Sequence, residues 1–277
     1  MRLLASTILA LALAAAGQAP KGTDARSTRL GEMRAFADSI TVEESAPGGR
    51  ARLERSAEPV YRFDVADRNV TDGTVWIWGR SGRPSAVMTV TKHRAARQGP
   101  HWLTELTSLA PGPISGTVEG IGTWQPARPG IVMRKFPKAP PPAEDAARRL
   151  RQMKDLIRLV RARENSRPRE RQPSKPAAYF ELRVLPQPVH RYVDAKSGVI
   201  DGGLFLIAYG LNPEVIMLVE ARREGPSGPE WHYGCARVST MELQVDFEGK
   251  EIWSDRGPSS SGPGDTYWLF TRPIAGE

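Results

Sequence analysis

The residues with the most reactive side chains are few and poorly placed for catalysis. His232-Tyr233-Gly234-Cys235 sets an imidazole three positions before the single thiol of the chain. On a strand, positions three apart project to opposite faces, so His232 could not activate Cys235 directly; Cys235 reads as a small buried hydrophobe. His190 and His232 could meet across strands, but two histidines without an acidic partner do not make a zinc site. His93 and His101 complete the histidines, and none sits in an HExxH or HxH cluster. No metal, cofactor or catalytic residue is assigned.

Charged pairs are the better candidates. Arg62 and Asp72 are ten residues apart, and so are Arg191 and Asp201. These four, with Arg149, Arg151, Arg158 and Arg161, form the candidate binding set. They read as anion-binding arginines and paired carboxylates, or as Asp-Gly turns with arginines lying along a sheet edge. The seven tryptophans could line a ligand groove or pack a sheet against a helix.

The elements that must position these residues follow from an internal match. Shifted by 129 residues, Pro59–Trp124 falls on Pro188–Trp253 without a gap, and 17 of the positions are identical, against about four expected at average composition. Upstream, Arg29-Leu30…Met33…Ile40 matches Arg149-Leu150…Met153…Val160 at an offset of 120. The expected fold class is α+β, a tandem duplication of a helix packed on an antiparallel β-meander. Residues 25–130 and 143–275 are the two units, and the Pro-rich segment 131–142 is a semi-rigid spacer.

The apolar positions Ala146, Leu150, Met153, Ile157 and Val160 predict a helix over 145–163, and a weaker pattern predicts one over 28–40. Strands are expected at 74–78, 86–91 and 102–109, and at 203–209, 215–222 and 231–239. Asp72-Gly73, Asp201-Gly202, Gly99-Pro100 and Gly228-Pro229 are read as turns. Leu204 and Leu206 alternate with Phe205 and Ile207, so that sheet should be covered on both faces.

The strings WGRSGRP, TSLAPGP, RLRQMK, VLPQPVHRY and NPEVIMLVEARR resemble a group of exported proteins of planctomycete-type bacteria with no assigned activity. The resemblance implies export and no particular chemistry. The order of elements is similar to cystatin-like and NTF2-like folds, which does not transfer function.

Residues 1–19 carry a positive start, an apolar run from Leu3 to Ala16 and small residues up to Ala19, the pattern of a secretory signal peptide. A periplasmic, envelope-associated or secreted location is expected, with no spanning segment after cleavage. The chain carries a formal charge of +8, and residues 148–175 hold 11 basic and 3 acidic residues. The excess therefore belongs to one helix and the Arg-rich loop 164–177, which argues against nucleic acid as the partner. The leading expectation is a non-catalytic binding or interaction protein. The alternatives are an envelope hydrolase with a site between the units, or adhesion to an envelope protein or anionic polymer through 148–175.

Overall fold

The computed structural model describes residues 22–46, 48–79, 81–94, 99–165, 179–223, 228–257 and 261–274. The signal-peptide reading and most of the Arg-rich loop lie outside these residues. Among them, no helix is long and apolar enough to cross a membrane.

In chain order, α1 (Gly22–Asp38) leads into β1 (Ile40–Ala46), β2 (Gly49–Arg52), β3 (Tyr61–Val65), β4 (Val70–Trp78) and β5 (Ala86–His93). Next come β6 (His101–Ser108), β7 (Ile114–Val118), β8 (Gly122–Trp124) and β9 (Arg134–Lys135). The C-terminal half runs α2 (Ala146–Arg158), β10 (Val160–Asn165), β11 (Tyr179–Val184), β12 (His190–Asp194), β13 (Val199–Tyr209) and β14 (Asn212–Arg223). It ends with β15 (Pro229–Arg237), β16 (Glu242–Phe247), β17 (Lys250–Asp255) and β18 (Tyr267–Pro273). Short 3₁₀ turns at Ala66–Arg68 and Ala195–Ser197 join β3 to β4 and β12 to β13.

The α+β, helix-on-meander expectation is corrected. The described residues form eighteen strands and only two α-helices, and one sheet curls into a half-barrel. The strands make a four-stranded sheet (β2-β1-β7-β8), a five-stranded sheet (β18-β6-β5-β4-β3) and a nine-stranded sheet holding β9 to β17. All pairings are antiparallel. The apolar spacing overextended the second helix because it ran on through Val160, whereas the first helix, at Gly22–Asp38, is longer than the 28–40 expected. The second helix stops at Arg158, and Val160, Ala162 and Glu164 then point inward while Arg161 and Arg163 point out, the two-residue period of a strand.

The core has three parts, one between the sheets and one beneath each helix. Val75, Ile77 and Val87 of β4 and β5 pack on Leu204, Leu206, Ile216 and Leu218 of β13 and β14. The opposite face of β13 and β14, with Phe205, Ile207, Val215 and Met217, packs with Met153, Leu156 and Ile157 of α2. This accounts for two apolar faces on one strand. Trp76, Trp78, Trp124 and Trp231 are fully buried.

Asp72-Gly73 and Asp201-Gly202 are not turns. Both pairs lie inside long strands, β4 and β13. A Cβ on Gly73 would stand 2.6 Å from the Phe63 ring, and one on Gly202 would stand 2.5 Å from the Tyr192 ring. Glycine is required there because the neighbouring strand lays an aromatic ring across the backbone. Gly99 and Gly228 do occupy turns, with φ of 77° and 89°.

Segment 131–142 is packed down. Ile131 joins the inter-sheet core, and the Phe136 ring lies 4.8 Å from Tyr233 and 5.1 Å from Phe247. The two halves also exchange edges: β9 pairs with β15, and β18 returns to pair with β6.

Candidate functional site

The sequence-derived pairs meet, and they bind each other. Arg62 grips Asp72 with Nε at 2.9 Å and a second nitrogen at 2.6 Å, and Arg29 of α1 adds a bond of 3.0 Å. In the other half Arg191 grips Asp201 at 2.8 and 2.6 Å, and Arg149 of α2 adds 2.9 Å. Arg62 and Arg191 also donate to the carbonyls of Arg26 and Ala146 on the helices. Each aspartate is thus a buried clasp that fastens a helix to its strand. Burial, the largest influence, raises the Asp72 carboxyl, but Arg62 and Arg29 together outweigh it and hold it below its ordinary value.

The rest of the binding set is scattered on the surface. Arg151, Arg158 and Arg161 are exposed. Arg158 pairs with Asp155 on the same helix, and Arg161 donates to backbone carbonyls. Cys235 is buried, and burial pushes its thiol far up. Among the described residues, no group of three or more His, Cys, Asp or Glu side chains could hold a metal ion.

The constellation that does converge lies at the junction of the halves, around a cavity of about 480 Å³. Its polar floor is built from three strands and a turn. Asn69 takes the left-handed conformation (φ 58°) that closes the 3₁₀ turn, a conformation asparagine tolerates well. The turn throws Arg68 across to the C-terminal half, where its guanidinium bridges Glu164 of β10 and Glu214 of β14, the latter at 2.9 Å. The Arg68 guanidinium also stacks 4.1 Å above the Tyr209 ring. Asn212 donates to Glu214 Oε1 at 2.7 Å.

Both glutamate side chains are 1% exposed; the Oε2 atom of each lacks a well-aligned donor, and the two carboxyls interact with each other and, for Glu214, with Ser239. One arginine therefore serves two buried carboxyls. Burial is the main cause raising both above the usual carboxylate range; Arg68 opposes it, and for Glu214 the neighbouring Glu164 adds to the rise.

A third carboxyl lies in the same cavity. Glu105 of β6 accepts from Thr89 and from the Tyr267 hydroxyl of β18, each at 2.6 Å. Burial pushes it up to about 7 against those two hydrogen bonds. His93, stacked on His101 with ring centroids 5.4 Å apart, also lines the cavity. Burial, then the charge of His101, lowers it. Leu103, Phe180, Met241 and Leu269 supply apolar walls.

Sequence reasoning missed Arg68, Glu105, Glu164 and Glu214. A signal was present in part: Glu105 and Glu214 are carboxylates inside apolar strand patterns, HWLTELTSL and NPEVIML, where an ionisable group needs a reason.

A second cavity, of about 530 Å³, is lined by Glu44, Arg83, Ser85 and Ser197 among others. Part of its charge is paired locally, while Arg83 Nε and Nη2 have no well-aligned hydrogen-bond partner. Ser85 donates to Glu44 at 3.1 Å, and Arg83 lies 3.1 Å from Glu220, which Arg222 and Tyr192 also hold.

No protein-family model, curated protein sequence or solved structure matches the chain.

Proposed function

We propose that the chain is an exported binding protein that holds a small ligand in the cavity between its halves, against Arg68, Glu105, Glu164 and Glu214. The observation that carries this reading is the pair of buried carboxyl oxygens on Glu164 and Glu214, each without a well-aligned donor, beside that cavity. Buried polar atoms are normally satisfied, and a concave site with apolar walls and a few convergent polar groups is the usual form of a ligand pocket. Export rests on the pattern of residues 1–19, and the resemblance to exported planctomycete-type proteins supports it.

The test is a thermal-shift screen of small polar and amphipathic compounds on the wild type and on two cavity-filling variants, Leu103→Trp and Thr240→Trp. Ligands whose stabilisation disappears in either folded variant support the reading. A screen in which every stabilising compound acts equally on the variants sinks it.

One observation favours a second reading, an acid–base hydrolase. Glu105 titrates near 7, where a general acid or base works best. Turnover of an ester or glycoside that is lost in Glu105→Gln, with the fold intact, would select this reading over simple binding.

A further inference from the structure

The charge inventory of the cavity narrows what it can hold. On the wall from the 3₁₀ turn stand Asp67 and Arg68, and His93 faces in from β5. Glu105 enters from β6, Glu164 from β10 and Glu214 from β14. Tyr209 of β13 lies under Arg68, and Tyr267 of β18 is spent on Glu105. Arg237 of β15 influences Glu105 from a distance but is committed to Asp255 at 2.8 Å. The carboxyls therefore outnumber the fixed cations: Asp67, Glu105, Glu164 and Glu214 stand against Arg68.

An anion entering this cavity would meet three buried carboxyls and an arginine already committed to two of them. In the empty cavity protons on the raised carboxyls cover part of that difference, and a neutral ligand would leave them in place. A cation can take the place of those protons as counter-charge, and the Oε2 atoms of Glu164 and Glu214 lack a well-aligned donor, with each other and Ser239 in reach. The walls of Leu103, Phe180, Met241 and Leu269 suit an apolar body. Phe180, edge-on to Tyr209 at 6.0 Å and 42% exposed, offers an aromatic surface beside the cavity.

We infer that the cavity takes an amphipathic organic cation, a primary ammonium group on an apolar body, with the ammonium donating to the Oε2 atoms of Glu164 and Glu214. This rests on the pocket reading above and names its ligand class. Before binding, burial keeps protons on part of this carboxyl set. An incoming ammonium favours the ionised forms, so binding releases protons to the solvent and tightens as pH rises. Burial and the charge of His101 lower His93, which favours its neutral form.

The probes are hexylammonium, hexanol and hexanoate, matched in apolar body and differing in charge. Calorimetric titrations of each are run at about pH 6 and about pH 9, where an alkylammonium with a pKa near 10 remains charged. Hexylammonium should bind at least about tenfold more tightly at the higher pH. Its heat should depend on the ionisation enthalpy of the buffer, the mark of a released proton. Glu214→Gln should weaken binding and flatten the pH dependence, and Glu105→Gln should flatten it while leaving the ammonium contacts. Equal or tighter binding of hexanol or hexanoate, or an affinity independent of pH, overturns the cation inference. If those neutral or anionic probes then lose binding in Leu103→Trp or Thr240→Trp, the pocket reading survives. Failure of all three probes overturns the inference, and the compound screen decides the pocket reading separately.

Discussion

The two cavities are built at matching places and have opposite chemical characters. Residues 129 apart line them: Ser197 where the other has Arg68, Ser85 where the other has Glu214, with Glu44 standing 120 residues before Glu164. In one, a serine hydroxyl satisfies one partly exposed glutamate. In the other, an arginine from the N-terminal half crosses to two glutamates of the C-terminal half, over sequence separations of 96 and 146 residues. Similar walls can therefore hold either carboxyls and cations of mixed sign or a cluster of buried carboxyls around one arginine.

The largest effect is expected from removing the cation at the centre of the cluster. Arg68→Met leaves Glu164 and Glu214 buried without a counter-charge and should cost about 3–5 kcal/mol, whereas Ser197→Ala should stay within about 0.5 kcal/mol. Urea denaturation of the two variants side by side measures both. Comparable losses would mean that Arg68 has no special place.

Next in size is a pH effect. A folded Glu105 near 7 binds more protons than its unfolded form between the ordinary carboxylate value and that point. Stability from this group is therefore fully present at low pH and lost as pH rises through about 7, to the extent of roughly 3 kcal/mol. Glu105→Gln should remove that slope and be the more stable protein at alkaline pH. The matching position is Gly234, so this particular response has no counterpart there; Glu164 and Glu214, also raised by burial, add a response of the same sign from the C-terminal half. Denaturation midpoints across the pH range check the sign.

A transplant sharpens the contrast at a smaller scale. Ser85→Glu places a second carboxyl beside Glu44 and should cost about 1–2 kcal/mol; adding Ser197→Arg should recover part of it, a coupling that a double-mutant cycle reads directly. The smallest effect is expected on the exposed helix face. Arg151→Ser should change stability by less than about 0.5 kcal/mol, while Arg149→Ser, which opens one of the Asp201 contacts, should cost about 1–3 kcal/mol, as thermal melts of the pair would show.

What could be read from the sequence was whatever local spacing determines. The strands around 74–78 and 215–222 announced themselves by apolar runs, and the Arg–Asp pairs by their repeated ten-residue interval. The helix boundary at Arg158 did not, because Leu159 and Val160 continue an apolar spacing that both periods tolerate. The Asp-Gly pairs misled for a different reason: the ring that makes glycine necessary at 73 and 202 belongs to the preceding strand. The Arg68–Glu164–Glu214 cluster was least legible of all. Its members are unremarkable in their own segments and acquire a role only when a turn from one half is laid against two strands of the other.

The exchange of edges between the halves has a consequence for how the protein comes into being. Tyr267, which holds Glu105, and Leu269, which lines the cavity, both arrive on β18, while β18 pairs with β6, more than 150 residues earlier. During synthesis the N-terminal half waits with an open sheet edge until residues 267–273 emerge. The charged cavity is thus among the last features to close, so a chain stalled or clipped before that strand would expose its unfinished edge to whatever machinery inspects nascent proteins.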